Sequence, residues 1–99
     1  ENATLKTFWP SARRLIKGDM ELELYFYNEC GFSQRVLNTI SNLGIGSKII
    51  KKNIRENANY EKELIDLCGD GQVPTLKIDG NPMRGSEEIN QFLVDHFLN

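Results

Sequence analysis

From position 21 the chain alternates, with Leu22, Leu24 and Phe26 apolar and Glu21, Glu23 and Tyr25 between them. A period of two is that of a strand with one face better buried than the other. After Cys30 the period lengthens. Phe32, Val36, Ile40 and Leu43 recur at helical intervals, Leu37 widens the stripe, and Gly44 supplies a stop signal. Ser47 to Ile54 sets Ile49, Ile50 and Ile54 among Lys48, Lys51 and Lys52. That imperfect alternation predicts a strand whose lysines suit a sheet edge. Tyr60, Leu64 and Leu67 predict a second helix ending at Gly69, with Cys68 on its apolar side. Leu76 and Ile78 mark another strand, Asp79-Gly80-Asn81 is a hairpin signal, and Pro82-Met83-Arg84 is the short partner. Ser86 is placed to cap a last helix, with Glu87 and Glu88 in its first turn and Ile89, Phe92, Leu93 and Phe97 on its buried side. The predicted order is β-α-β-α-β-β-α, an α/β fold in which helices flank a sheet.

The pattern divides the chain into residues 1–20, an N-terminal extension, and residues 21–99, one domain. In the extension Leu5, Phe8, Trp9, Ala12, Leu15 and Ile16 fall at helical spacing among Lys6, Arg13, Arg14 and Lys17. A short amphipathic helix is expected, starting near Pro10, because proline suits a first helical turn. Packing on the domain surface is favoured over membrane association. Met20 opens a stretch sufficient for a complete small domain, so residues 1 to 19 read as a leader that is processed or truncated.

Composition narrows the classes. The 99 residues, 39% of them hydrophobic, suffice for one modest core, and no apolar run is long enough to span a bilayer. The net charge of −2 comes with no broad basic stripe, which argues against a nucleic-acid partner. The two cysteines, Cys30 and Cys68, neither make a disulfide framework nor form a Cys-x-x-Cys pair. A reducing, cytoplasmic setting is the simpler expectation. Cys68 is expected to be core, with a regulatory or resolving thiol as the alternative. His96, the only histidine, is expected to pack or cap on the last helix.

Candidate chemistry centres on Cys30. A short apolar run feeds it directly into a helix start, where unpaired backbone N–H groups and the macrodipole favour the thiolate. Such a thiol is a nucleophile or a metal ligand near neutral pH. A second signal stands 44 positions on, where Gln72-Val73-Pro74-Thr75 follows the break Gly69-Asp70-Gly71 and puts a proline at the mouth of a strand.

Cys30-Gly31-Phe32-Ser33, Val73-Pro74 and Gly85-Ser86-Glu87 together resemble the glutaredoxins, and Cys-Gly-Phe-Ser is the signature of their monothiol branch. The resemblance covers roughly residues 21 to 98 and implies a thioredoxin-like fold with a four-stranded mixed sheet. It also implies glutathione as the cofactor. Because Ser33 replaces the resolving cysteine, Cys30 must be regenerated by an external thiol, with Ser33 bonding the thiolate or capping the helix. In the family the backbone of Val73, before a cis proline at Pro74, pairs with the tripeptide, and Ser86 and Glu87 meet its γ-glutamyl end. Ordinary helix capping also explains Ser86 and Glu87. Tyr27 stands where these proteins usually carry a lysine, the family's glycine pair reads Arg84-Gly85, and the insertion usual in monothiol members is absent. Arg35, Arg55, Gln72 and Arg84 are the candidates for the remaining carboxylate contact. The stretch Gln72 to Ile89 is similar to the N-terminal domain of glutathione transferases as well; with no helical second domain after it, a full transferase is not expected.

Two functions of different class follow from the resemblance. One is a glutathione-dependent thiol–disulfide oxidoreductase acting on glutathionylated proteins or small disulfides. The other is a carrier in which Cys30 is a metal ligand, a homodimer sharing a [2Fe-2S] cluster with bound glutathione. A glutathione- or partner-binding domain with a sluggish thiol is the third.

Overall fold

The computed structural model describes residues 20–98; the extension expected at the N-terminus lies outside the described residues. The strands are β1 (Leu22–Phe26), β2 (Ile50–Asn53), β3 (Thr75–Ile78) and β4 (Asn81–Arg84), and the helices are α1 (Gly31–Leu43), α2 (Ala58–Cys68) and α3 (Ser86–Leu98). They follow one another in the order read from the sequence. The sheet runs β2-β1-β3-β4, with β1 and β2 parallel and the remaining pairs antiparallel.

Strand β1 is the central organiser, and both of its faces are covered. Leu22, Leu24 and Phe26 point into the larger core with Val36 and Ile40 of α1, Leu76 of β3, and Ile89 and Leu93 of α3. Tyr25 turns the other way, onto Ile54 and Leu64. The alternation predicted one well-buried face; all five residues are buried because α2 covers the second.

That second face also buries Glu23, which is only 8% exposed. Its carboxylate meets Lys52 Nζ at 2.5 Å and Lys77 Nζ at 3.4 Å. Lys52 also donates to Glu63 Oε1 at 2.7 Å, and the Tyr25 hydroxyl donates to the same oxygen at 3.0 Å. Burial raises the Glu23 carboxyl, but Lys52 and Lys77 outweigh it and hold the group below its ordinary 4.5. A depressed carboxyl stabilises the fold above its unfolded pKa and loses that contribution as pH falls through the folded value. Glu23→Gln is therefore expected to cost about 1–3 kcal/mol at neutral pH, since Lys52 keeps Glu63 as a partner. In urea unfolding from pH 7 down to pH 3, the gap between variant and parent should close below about 4.5.

Three sequence expectations are corrected. The strand expected over Ser47 to Ile54 is confined to Ile50–Asn53, the residues in register with Glu23 to Phe26, and a 3₁₀ turn occupies Gly46–Lys48. It is an edge strand, as its lysines predicted. Phe32 does not join the core: it is 59% exposed. It lines the same cleft as Val73 and Pro74, the residues just before β3. Ser86 is the first residue of α3 rather than its cap. Gly85 precedes it at φ 95°, a left-handed conformation open to glycine, and accepts the Ile89 N–H at 3.0 Å.

The β3–β4 hairpin turns through Asp79 (φ 49°) and Gly80 (φ 91°), the pair of positive φ values that matches strand twist in a two-residue loop. Asp79 is tied back to β1, its N–H donating to the Glu21 carbonyl and its carboxylate accepting the Glu21 N–H. Of the apolar positions read for α3, Ile89 and Leu93 are buried, and Phe92 and Phe97 pack against the same core. His96 stacks on Phe92 at 5.5 Å and meets the edge of Phe97 at 4.7 Å, a packing role.

Candidate functional site

The site forms where β1 ends and α1 begins. Residues Tyr27 to Cys30 turn the chain, with the Cys30 N–H donating to the Tyr27 carbonyl at 3.3 Å and Gln34 Nε2 donating to the Asn28 carbonyl at 2.9 Å. Cys30 is the N-cap of α1, in extended conformation, and its carbonyl accepts the first helical bond from the Gln34 N–H at 3.0 Å. Its thiol is half-buried. Burial pushes the thiol up; the backbone N–H of Ser33, the Ser33 hydroxyl, the backbone N–H of Phe32 and the positive charge of Arg55 pull it down further, so it lies below its ordinary value. The helix start thus favours the thiolate, as the sequence suggested.

Ser33 is fully buried, and its Oγ has no hydrogen-bond partner among the described residues. A buried hydroxyl without a partner is costly. An ionised Cys30 offers it an acceptor, which is why the hydroxyl favours the thiolate.

A cleft of about 430 Å³ adjoins the first turn of α1, whose Phe32 lines it; Cys30, at the N-cap of that helix, does not. Gln72, Val73 and Pro74 form one wall, Gly85, Ser86, Glu87 and Glu88 the other, and Phe32 and Arg84 complete it. The Val73–Pro74 peptide bond is cis. The loop before it is braced locally: the Gln72 N–H donates to Asp70 Oδ1 at 3.1 Å and Thr75 Oγ1 donates to the Gln72 carbonyl at 2.9 Å. Arg84 pairs with the Asp70 carboxylate and reaches Gln72 Oε1 at 3.4 Å, which joins β4 to this loop.

Of the residues singled out in the sequence, the structure brings Gln72, Val73, Pro74, Ser86 and Glu87 around one cleft, with Arg84 among them. Cys30 and Ser33 stand at the start of the helix that contributes Phe32. Tyr27 does not line the cleft. Its ring lies under the Arg55 guanidinium, 3.7 Å from centroid to Cζ. That stack was not legible in the sequence, where the two residues are 28 positions apart with no motif between them. Arg35 sits over the Phe32 ring at 5.7 Å, on the exposed side of α1. Cys68 is half-buried against the Tyr25, Ile54 and Leu64 cluster, in line with a packing role. Among the described residues no group of three or more His, Cys, Asp or Glu side chains could hold a metal ion, and no helix is long and apolar enough to cross a membrane.

A mixed sheet with helices on both faces, a thiol at the N-terminus of the first helix and a cis-proline just before the third strand define a thioredoxin-like protein. Residues 29–96 match the glutathione S-transferase N-terminal domain, and the chain belongs to that family. Among solved structures, it is similar to glutathione transferase Omega 3C from Trametes versicolor, with 26% identity and a TM-score of 0.67 over 80% of this chain and 34% of that one. It is similar also to an epsilon-class glutathione S-transferase from the housefly Musca domestica, with 24% identity and a TM-score of 0.64 over 78% of this chain and 35% of that one. The holo form of glutaredoxin C1 from Populus tremula x tremuloides shares the fold, with 19% identity and a TM-score of 0.58 over 78% of this chain and 77% of that one. The chain spans about a third of the length of the transferases it matches. No curated protein matches it. The likeness to transferases, read in the sequence over Gln72 to Ile89, thus extends over most of the described domain.

Proposed function

We propose that this chain binds glutathione in the cleft beside Cys30 and acts as a monothiol, glutathione-dependent thiol–disulfide oxidoreductase. The observation that carries this is a half-buried thiol, held below its ordinary value at the N-cap of α1, two residues before Phe32, which lines a cleft whose other walls are Val73–Pro74 and the first turn of α3. Val73, ahead of the cis-proline at the cleft wall, carries backbone groups that suit strand-like pairing with a peptide. The free N–H groups of the α3 start suit a carboxylate, and the Glu87 carboxylate suits an ammonium; a γ-glutamyl end carries both.

The chemistry follows from one thiol. The Cys30 thiolate attacks the glutathione sulfur of a glutathionylated substrate; the substrate's S–S bond breaks, the substrate leaves as a thiolate that takes a proton, and a Cys30–glutathione disulfide forms. Ser33 offers no second thiol, so a second glutathione thiolate attacks that disulfide. Oxidised glutathione departs and the Cys30 thiolate is regenerated. Both backbone N–H groups at the start of α1 and the Ser33 hydroxyl stabilise the anion at the beginning and end of the cycle.

Glutathione binding is testable apart from turnover. By isothermal titration, Glu87→Gln should weaken binding about tenfold, the cost of losing one charge-assisted contact. Glu87 is exposed, so this substitution should leave thermal stability nearly unchanged. Unaltered affinity would leave Glu87 only its place as an acidic residue in the first turn of α3.

The iron–sulfur alternative draws no separate support. The residues of this chain fit a [2Fe-2S] centre only in part, since Cys30 is a single thiolate and no group of three or more ligating side chains occurs among the described residues. The remaining ligands would have to come from glutathione and a second copy of the chain.

A further inference from the structure

The cleft wall that carries Val73 is a loop. Residues 69–74 belong to no helix or strand, and Gly69, at φ 89°, and Gly71 give the stretch wide backbone freedom. Side chains have to hold it, and three bonds converge on Gln72, the residue before Val73. The Gln72 N–H donates to Asp70 Oδ1 at 3.1 Å, its carbonyl accepts from Thr75 Oγ1 at 2.9 Å, and its Oε1 accepts from Arg84 Nη2 at 3.4 Å. Arg84 also takes Asp70 in both arms of its fork, Nη1 on Oδ2 at 3.5 Å and Nη2 on Oδ1.

The anchor of this arrangement is the sheet. Arg84 lies in β4 directly opposite Thr75, and Thr75 is fully buried opposite Tyr25 of β1. Through Arg84, then, Asp70 ties a glycine-rich loop to a strand. None of these bonds uses the backbone of Val73, which they leave to a ligand. Arg84 lines the cleft, but its charge is already answered by the Asp70 carboxylate. We infer that Asp70 and Arg84 are positioning residues of the cleft: a clasp that fixes the Gln72–Val73 backbone where it meets a bound peptide, with Arg84 acting through Asp70 rather than on the ligand. The inference rests on the reading of this cleft as the glutathione site, whereas the hold of the clasp on the loop is independent of it.

The test applies two measurements to Asp70→Asn, Arg84→Met and the double variant. Hydrogen exchange followed by mass spectrometry compares residues 69–73 with β1, and isothermal titration gives the affinity for glutathione. Each single variant should speed exchange in residues 69–73 about three- to tenfold, the range for a two-armed pair that is partly exposed, and leave β1 unchanged. Glutathione binding should weaken by a similar factor. The double variant should be no worse than the worse single one, because the two residues act as a unit. Arg84→Lys, which keeps the charge but loses the fork, should recover part of both effects. A ligand role for Arg84 predicts the opposite sign in Asp70→Asn, where the freed guanidinium would bind glutathione more tightly. Tighter or unchanged binding in Asp70→Asn, or unchanged exchange in both folded single variants, overturns the inference. A parent that does not bind glutathione, with exchange in the variants rising as expected, would leave the clasp its hold on the loop and remove the glutathione reading of the cleft instead.

Discussion

Cys30→Ser is expected to reduce glutathione-dependent turnover of a glutathionylated peptide by more than about a thousandfold, to the rate of the uncatalysed exchange. A hydroxyl at position 30 neither ionises near neutral pH nor forms a disulfide, so no part of the cycle survives its introduction. Cys68→Ser should behave differently. Cys68 packs against the Tyr25 cluster at the end of α2, and exchange of a half-buried thiol for a hydroxyl costs about 1 kcal/mol of stability while leaving turnover almost intact. The pair of variants separates one-thiol from two-thiol chemistry. Equal loss in both would mean that Cys68 resolves the Cys30 disulfide, and the monothiol scheme would fall.

The largest effect on stability is expected from Leu24→Ala. Leu24 is completely buried at the middle of β1, opposite Leu76 on β3 and between α1 and α3. Its truncation removes apolar contacts and leaves a cavity that a sheet held on both sides cannot close, for a cost of about 2–5 kcal/mol. A domain of this size has roughly 4–12 kcal/mol in total. At about 4–8 °C per kcal/mol, the midpoint of thermal unfolding followed by circular dichroism should fall by about 8–40 °C. Leu98, 66% exposed at the end of α3, is the control: Leu98→Ala should change stability by no more than about 0.5 kcal/mol. A small effect at Leu24 would mean that the core does not close on β1. Since β1 delivers the Tyr27–Cys30 turn, loss of this packing should also loosen the thiol's surroundings.

Most of the fold was legible because strands and helices with one face more apolar than the other write their period into the sequence. The alternation over Leu22 to Phe26 and the helical stripe over Val36, Ile40 and Leu43 needed nothing further. Three features were not legible, each because tertiary neighbours decided them. Phe32 fits the helical stripe but is exposed on the first turn of α1 and lines the cleft. Ile49 and Ile50 look alike in sequence, yet register with β1 makes Ile50 the start of the strand and leaves it exposed, while Ile49 is buried. Glu23 reads as the polar face of a half-exposed strand, and only the covering of α2 with Lys52, Lys77 and Glu63 shows that it is buried and paired.

At the site, the residues that gather were already carried by short motifs at helix and strand starts: Cys30, Val73-Pro74 and Gly85-Ser86-Glu87. Such residues owe their positions to local chain geometry, which sequence encodes directly. The cation beside Tyr27 was a different matter. Arg55 was one of several basic candidates, and nothing in its spacing distinguished it from Arg35 or Arg84. Those two are engaged elsewhere, Arg35 over Phe32 and Arg84 with Asp70, whereas the end of β2 carries Arg55 to the Tyr27 ring.

The most direct test of monothiol chemistry at Cys30 is mass spectrometry of the intact protein and its peptides after incubation with oxidised glutathione. One glutathionyl adduct is expected, located on Cys30, absent in Cys30→Ser and released by added glutathione. An internal Cys30–Cys68 disulfide, an adduct confined to Cys68, or no adduct on a folded protein would contradict it.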